Sequence, residues 1–323
     1  MTTPLVLCLG EMLFDYLADQ VEQSYDEVET WTPYPGGAPA NVACALIKLG
    51  TTAGFISCLG RDEAGDELLS LLNTNGVNTQ GVQRHASAPT RLVYVTRSAG
   101  GERHFAGFGD NSADQFSDTH LDAAQLPTSL FNTANVLVSG TISLAFPQSR
   151  QATQAAFALA KQTGMDIFLD INWRPVFWSD EELAQSLIGQ TLQQADWVKC
   201  SDDEAQWLFG TDEPRKIARG LPRIKGVLVT AGDRGCTYQI GQHCGAVPAF
   251  PIQPIDTTGA GDGFVAGFLH QYSLQGERLL QDESLAKHAI IYASAVGALT
   301  ATKPGAIAAQ PRSAEVDHFL NNL

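Results

Sequence analysis

The sequence predicts an α/β protein of three layers, with a mostly parallel central sheet flanked by helices and a second, small β-sheet. Three observations support this prediction. Short apolar runs alternate with amphipathic segments along most of the 323 residues, as in chains built from strand–helix–strand units. The apolar runs are continuous, which is typical of parallel strands buried on both faces. Two segments instead carry strand-like alternation without a helix between their strands, which indicates a separate small sheet.

The regular alternation begins with the apolar run Leu5–Leu9, a predicted strand that stops at Gly10. The first helix is predicted over Ala38–Leu49, because apolar residues recur there at helical spacing and Gly50 follows as a stop. The later predicted elements are, in order, a strand over Thr52–Cys58, a helix over Ala64–Asn75, a strand over Asn135–Ser139, a helix over Ser149–Gln162, a strand over Asp166–Ile171, a helix over Glu181–Gln193, strands over Trp197–Cys200 and Gly226–Thr230, and a helix over Ser284–Thr302. Right-handed crossovers between such strands give a sheet covered on both faces.

The two exceptional segments are Met12–Trp31 and Arg91–Phe108. In the second, a strand over Arg91–Thr96, a turn over Ser98–Gly101 and a strand over Glu102–Phe105 read as a hairpin. We expect these insertions, at approximately residues 12–35 and 88–110, to form a small lid sheet on a single domain of residues 1–323.

Composition excludes several classes of function. The formal net charge is -15, which argues against binding to nucleic acid or to an anionic membrane surface. The six cysteines are scattered with no Cys-x-x-Cys pair, so neither a zinc site nor a redox motif is indicated. Apolar stretches fall short of a membrane span, and the start does not resemble a signal peptide, so we expect a cytoplasmic protein.

The strongest chemical signal is Asp256-Thr257-Thr258-Gly259-Ala260-Gly261-Asp262, a glycine-rich turn followed by apolar residues at helical spacing. Backbone N–H groups of Gly259, Ala260 and Gly261 would converge at the helix N-terminus and form an anion hole that needs no lysine. A phosphate-binding P-loop needs Gly-Lys-Ser/Thr, and a dinucleotide fingerprint needs a third glycine; both interpretations fail here. Asp262 would repel phosphate if it served binding alone, but it suits a general base that accepts a proton from an attacking hydroxyl.

A second glycine-rich motif, Gly36-Gly37-Ala38-Pro39-Ala40-Asn41-Val42-Ala43, opens the first predicted helix. Asn41 in its first turn could both donate and accept hydrogen bonds to vicinal hydroxyls. A plain entry from loop to helix would explain the glycines equally well.

Together the two motifs resemble the two signatures of the ribokinase-like carbohydrate kinases, also called the PfkB family. Their order and separation and the α/β pattern between them agree, so the resemblance covers essentially the whole chain. It implies a ribokinase-like fold, ATP as phosphate donor and Mg²⁺ as a cofactor. It also implies that Asp262 is the catalytic base and that Gly259, Ala260 and Gly261 form the anion hole. The implied sugar-binding residues are Asp15, Gly36, Gly37 and Asn41.

The resemblance also suggests metal and nucleotide sites. The family's magnesium-associated Asn-x-x-Glu matches Ser201-Asp202-Asp203-Glu204, so Glu204 is expected to reach Mg²⁺ through water, while Ser201 departs from the pattern. The loops Val229–Gly235 and Thr302–Ala306 resemble segments beside the nucleotide and imply that Thr230, Gly232, Gly235 and Gly305 bind ATP, together with Gly259 and Gly261. Asp256 is an expected ligand of a monovalent cation, K⁺.

Substrate choice depends on Asp170-Ile171-Asn172-Trp173-Arg174 and the following Trp178, which are similar to a stretch of fructokinases and ketodeoxygluconate kinases. Arg174 could bind the transferring phosphate or a sugar oxygen, or it could pair with Asp170. The leading expectation is transfer to O6 of D-fructose. Ketodeoxygluconate kinase, ribokinase and a non-catalytic sugar or nucleotide sensor remain alternatives. In this family the lid sheet often pairs between subunits, so a homodimer is expected.

Overall fold

The computed structural model describes residues 3–99 and 103–322. Within these ranges the strands are β1 (Val6–Leu9), β2 (Leu13–Ala18), β3 (Trp31–Gly36), β4 (Ala53–Gly60), β5 (Asn78–His85), β6 (Leu92–Arg97), β7 (Arg103–Gly107), β8 (Val136–Ser139), β9 (Asp166–Asp170), β10 (Trp197–Ser201), β11 (Gly226–Thr230), β12 (Cys236–Ile240) and β13 (His243–Val247). The helices are α1 (Ala38–Leu49), α2 (Glu63–Thr74), α3 (Thr128–Phe131), α4 (Pro147–Thr163), α5 (Glu181–Leu192), α6 (Asp202–Phe209), α7 (Pro214–Arg219), α8 (Ala260–Gln275), α9 (Glu283–Ala301), α10 (Ala306–Ala309) and α11 (Ser313–Asn321).

A nine-stranded sheet in the order β13-β12-β11-β10-β9-β8-β1-β4-β5 forms the centre of the protein. The seven strands from β11 to β5 are parallel to their neighbours, whereas β12 and β13 are antiparallel additions at one edge. Because the parallel strands share one direction, their carboxyl ends meet at a single edge of the sheet. In open α/β sheets that edge is the usual place for a ligand.

Helices cover both faces of this sheet. Strand β1 illustrates the division, because Val6 and Cys8 pack with α1, α8 and α9 while Leu7 and Leu9 pack with α4 and α5. Alternate residues of a strand point to opposite faces, so one continuous apolar run supplies two cores. The predicted three-layer arrangement is confirmed.

The second sheet has four strands in the order β3-β2-β6-β7. Strand β2 pairs antiparallel with β3 and parallel with β6, and β6 pairs antiparallel with β7. Its strands come from the two segments that broke the helical rhythm of the sequence, so the predicted separate small sheet is confirmed. We call it the lid sheet; its opening and closing remain a prediction.

Several element boundaries differ from the predictions. Helix α4 begins at Pro147 rather than Ser149, since proline suits the first turn of a helix, where its missing N–H is not needed. The sequence analysis proposed no strand for β5, β12 or β13. The predicted turn over Ser98–Gly101 and the strand from Glu102 lie partly outside the described residues.

All six cysteines are free thiols, five of them buried and Cys244 exposed. Among the described residues, no helix is both long and apolar enough to cross a membrane.

Candidate active site

Helix α8 starts at the glycine-rich turn identified in the sequence. Gly259 is its N-cap and has a left-handed φ of 77°; an added Cβ would lie 2.8 Å from the Ala306 side chain. Only glycine fits both conditions. The N–H of Ala260 donates to the Thr257 carbonyl at 3.1 Å, whereas the N–H groups of Gly259 and Gly261 have no partner among the described residues. The expectation of three free amides was therefore wrong for Ala260, because its N–H closes the turn.

Asp262 lies in the first turn of α8 and is held by the other motif. Its Oδ2 accepts a hydrogen bond from Asn41 Nδ2 at 2.8 Å, across 221 residues of sequence. Burial raises the pKa of Asp262, and this rise is opposed by the Asn41 hydrogen bond and by the charges of Lys199 and Arg174. Two motifs far apart in sequence thus meet at one carboxylate.

Asn41 is 4% exposed, and its amide is only half used. Nδ2 donates to Asp262, while Oδ1 is buried with no hydrogen-bond partner among the described residues. The Asn41 carbonyl accepts from Gln310 Nε2 at 2.9 Å, which anchors the first turn of α1. A buried acceptor without a donor is unfavourable unless a ligand or water supplies one.

Gly36 and Gly37 allow α1 to start against the end of β1. A Cβ at Gly36 would lie 2.8 Å from Asp15 Oδ2, and one at Gly37, which has a φ of 103°, would collide with the Glu11 carbonyl. Asp15 projects from the lid strand β2 into this junction. Burial raises its pKa to about 6, against the opposing charges of Arg103 and Arg174.

Arg174 follows β9 and is exposed, with Nη1 donating to the Trp173 carbonyl at 2.9 Å. Its charge lowers the pKa of both Asp15 and Asp262 against the effect of their burial. The alternative of an ion pair with Asp170 is wrong, because Asp170 pairs with Lys199 at 3.1 Å.

Asp256 connects three parts of the protein. Its carboxylate accepts hydrogen bonds from the Thr258 N–H at 3.0 Å, from the Thr258 hydroxyl at 2.7 Å and from the Gly305 N–H at 3.0 Å. Arg103 of lid strand β7 pairs with the same carboxylate at 2.8 Å. Burial would raise the pKa of Asp256, but the bonds from Gly305 and Thr258 and the charge of Arg103 hold it below its usual value.

Glu204 and Ser201 form a capping box at the start of α6. The Ser201 hydroxyl accepts from the Glu204 N–H at 3.1 Å, and the Glu204 carboxylate accepts from the Ser201 N–H at 2.7 Å. The other Glu204 oxygen accepts from the Trp173 N–H at 2.6 Å. Serine thus serves as an N-cap where the family pattern has asparagine, and both are favoured caps.

The chain matches the model of the "pfkB family carbohydrate kinase" over residues 3–313. It is 41% identical to "Fructokinase-1" of Oryza sativa subsp. japonica over 317 residues, which are 97% of this chain and 96% of the rice protein. The chain belongs to the pfkB family of carbohydrate kinases. It is therefore an ATP-dependent carbohydrate kinase, and the predicted family and enzyme class are confirmed.

Solved structures give the same assignment for this pfkB-family kinase. The crystal structure of a fructokinase with bound ATP from Xylella fastidiosa has a TM-score of 0.89 at 29% identity and covers 98% of each chain. A fructokinase double mutant from Vibrio cholerae O395, in a form bound to fructose, ADP and potassium ion, has a TM-score of 0.85 at 29% identity and covers 99% of each chain. The ribokinase-like fold is thereby confirmed.

The expected nucleotide-binding residues lie in two loops of this kinase. Thr230 ends β11, and Gly232 and Gly235 have positive φ values of 54° and 94° in the turn that leads to β12. Gly305, with a φ of 83°, caps α10 and donates to Asp256. Asp256 therefore ties the second of these loops to the α8 turn.

Each of the two expected metal ions, Mg²⁺ and K⁺, has one expected carboxylate partner here, Glu204 and Asp256 respectively. Among the described residues, no cluster of three or more His, Cys, Asp or Glu side chains is arranged as a metal site. Each Glu204 oxygen already accepts one backbone N–H and retains a second lone pair, which fits contact with Mg²⁺ through water. Asp256 offers carboxylate oxygens to K⁺, but Arg103 covers one of them.

Two buried charged residues at this edge of the sheet, Lys199 and Glu11, were not singled out from the sequence. Lys199 and Asp170 form an ion pair with side chains 9% and 7% exposed. Glu11 is 4% exposed, and its Oε1 accepts from the Ala38 N–H at 3.1 Å, at the start of α1; burial raises the pKa of Glu11 to about 7. A charged residue within an otherwise apolar strand indicates a buried charge that needs a partner. This pattern was present in the sequence for Lys199, as it was for Asp170.

Proposed function

We propose that this kinase transfers the γ-phosphate of ATP to O6 of D-fructose and yields fructose 6-phosphate, with Asp262 as general base. The hydrogen bond between Asn41 and Asp262, at 2.8 Å, carries this proposal. It brings together a carboxylate, the N-terminus of α8 and a buried amide oxygen that has no partner within residues 3–99 and 103–322. The names of the relatives, fructokinases from rice, Xylella fastidiosa and Vibrio cholerae, supply the sugar.

In the proposed complex the sugar lies between the lid sheet and α1. Asp15 would accept hydrogen bonds from two adjacent hydroxyls, while Gly36 and Gly37 leave room for them. Asn41 Oδ1 would accept from a further hydroxyl and so satisfy its buried lone pairs. Asn41 Nδ2 keeps the Asp262 carboxylate turned toward the same place.

Asp262 would take the O6 proton as the oxygen attacks the γ-phosphorus, while the bond from the γ-phosphorus to the β,γ-bridging oxygen breaks and ADP leaves with its electron pair. This step needs the ionised carboxylate, which burial disfavours and which Lys199 and Arg174 favour. The free N–H groups of Gly259 and Gly261 and the positive end of α8 would stabilise the charge on the phosphoryl oxygens. Arg174 would add a mobile cation from the opposite side of the cleft.

The nucleotide would lie beside Thr230, Gly232, Gly235 and Gly305, with its terminal phosphate toward Gly259 and Gly261. Mg²⁺ bound to the phosphates would neutralise part of their charge, and Glu204 would reach it through water. Asp256 would share K⁺ with the loop that contains Gly305.

An ADP-release assay with fructose, ribose, 2-keto-3-deoxygluconate and fructose 6-phosphate tests the proposal. We expect the largest kcat/KM with fructose, and we expect ³¹P NMR to give fructose 6-phosphate as product. A higher kcat/KM with ketodeoxygluconate or ribose would replace the substrate assignment. Absence of turnover with every sugar, despite ATP binding, would favour the sensor alternative.

A further inference from the structure

A buried ion pair lies on the central sheet directly below the glycine turn of α8. Lys199 on β10 and Asp170 on β9 are paired in register across the two parallel strands. Lys199 Nζ lies 3.1 Å from Asp170 Oδ1 and 3.4 Å from Oδ2. Removing two charges from water is unfavourable unless their partners are well placed, so a pair at this depth requires an explanation.

The strand register fixes where the pair points. One pleat before it, Trp197 and Phe168 contact Phe268 of α8, with ring centroids 5.0 and 6.0 Å apart. Alternate residues of a strand face the same side, so Lys199 and Asp170 also face α8, nearer its first turn. A Cβ at Gly261 would lie 3.4 Å from Lys199 Nζ, which puts the ammonium beside Gly261, the residue that precedes Asp262.

Carboxylates surround this ammonium. Five charged residues at the sheet edge are coupled electrostatically to Asp262, directly or through Lys199 and Asp170. They are Glu11 after β1, Asp170 on β9, Arg174 after β9, Lys199 on β10 and Glu204 on α6. Lys199 is 7% exposed, whereas Arg174 is exposed. Of these two cations, only Lys199 is therefore shielded from solvent and fixed in place. Its charge lowers the pKa of Asp262 against the effect of burial.

We propose that Lys199, held by Asp170, is a positioning residue whose fixed positive charge keeps Asp262 ionised as the base for phosphoryl transfer. The inference rests on the proposed function of Asp262. The pair adds no net charge, so it does not simply make the site more attractive to ATP. The ion pair is a fixed dipole. Its positive end, the Lys199 ammonium, lies toward the first turn of α8, and its negative end, the Asp170 carboxylate, lies on β9.

The test is the pH dependence of kcat in a variant that neutralises both partners, Lys199→Met with Asp170→Asn. Asp262 must be ionised, so turnover falls as the pH drops through its pKa, and a higher pKa moves this acid limb upward. We expect an upward shift of about one pH unit, with the high-pH plateau within about tenfold of the unsubstituted enzyme. Lys199→Met alone leaves the negative charge of Asp170 unpaired near Asp262. The acid limb of kcat in this variant is therefore expected to move further upward in pH, if the variant folds.

A matched control removes an ion pair from the opposite end of the same sheet. Lys225 and Asp166 are 2.9 Å apart at the amino end of β9, and Lys225→Met with Asp166→Asn is expected to leave the acid limb in place. A double Lys199/Asp170 variant that unfolds cooperatively but keeps the original limb would overturn the inference. Asp262→Asn separates the two proposals: full turnover in that variant would reject Asp262 as base, whereas lost turnover with an unmoved limb rejects only the role of Lys199.

Discussion

Asn41 is the residue that joins the two motifs, because one amide serves both the proposed base and the proposed sugar site. Its Nδ2 contacts Asp262, and its Oδ1 is a buried acceptor with no partner in the part of the chain that the structure describes. Neither atom could be exchanged for a carboxylate oxygen without placing two negative charges together. The residue type therefore follows from the geometry of the site.

Replacement of Asn41 by alanine is expected to lower kcat/KM for the sugar about 10- to 100-fold, because it removes the bond to Asp262 and the acceptor for a hydroxyl. Asn73 is a matched control, since it is an exposed asparagine on α2 whose Nδ2 bonds to the Leu69 carbonyl. Asn73→Ala should leave the kinetics unchanged. Equal kinetics for the two variants, measured with fructose and ATP, would contradict the role of Asn41.

Glu11 should make the stability of this protein depend on pH. Its pKa is about 7 in the folded chain, against an ordinary value of 4.5, so the folded state binds the extra proton. Stability is then greater below about pH 4.5 and is lost progressively as the pH rises to about 7. Gln at this position keeps an acceptor for the Ala38 N–H and cannot ionise.

We therefore expect Glu11→Gln to raise the free energy of unfolding more at pH 8 than at pH 5, by about 1–3 kcal/mol. Urea unfolding of both proteins at the two pH values measures this difference. A substitution effect that is the same at pH 5 and pH 8 would show that Glu11 keeps its ordinary pKa.

At the level of elements, an ion pair between Arg103 and Asp256 links hairpin β6–β7 to the body of the protein. The Arg103 side chain is 36% exposed and that of Asp256 is 11% exposed, so solvent screens much of the attraction. A contact of this strength suits a lid that must open for sugar to enter.

Arg103→Ala is expected to increase hydrogen exchange in β6 and β7 and to lower kcat/KM for fructose about two- to fivefold, since the weakened lid closes less often. Lys216→Ala provides a comparison, because it removes an exposed ion pair with Glu213 on α7, away from the lid. Unchanged exchange in β6 and β7 would show that Arg103 does not hold the lid sheet.

The elements that were predictable from sequence are those whose signals are local. Short stretches of sequence are enough to recognise the glycine turn before α8, the Gly36–Gly37 entry into α1 and the strand-like insertions. The pairing of Lys199 with Asp170 depends on which strands become neighbours, and the use of the Ala260 N–H depends on how one turn closes. The antiparallel strands β12 and β13 are short and carry polar or exposed positions, so they lack the continuous apolar run of the inner strands.

On the scale of the whole molecule, an excess of 15 negative charges surrounds a site that must bind the anion ATP. Backbone amides, a helix dipole and a few cations attract the phosphates within the site, and all of them act at short range. The long-range field still opposes the approach of ATP. Pairing of two chains through the lid sheet stays a prediction.

Screening of this field should therefore improve nucleotide binding. Raising tetramethylammonium chloride from 10 to about 150 mM is expected to lower KM for MgATP about two- to fivefold with little change in kcat. Tetramethylammonium is too bulky to replace the K⁺ proposed at Asp256, so the added salt acts through screening. A KM that rises with salt would mean that local cations, rather than the net charge, dominate the encounter.

The central claim is that Asp262 is the base, and Asp262→Ala tests it most directly. We expect kcat with fructose and ATP to fall at least about 100-fold, while the Kd for ATP, measured by calorimetry, stays within about threefold. Binding should persist because the amides of Gly259 and Gly261 are untouched. Turnover close to that of the unsubstituted enzyme, with ATP still bound, would contradict the account.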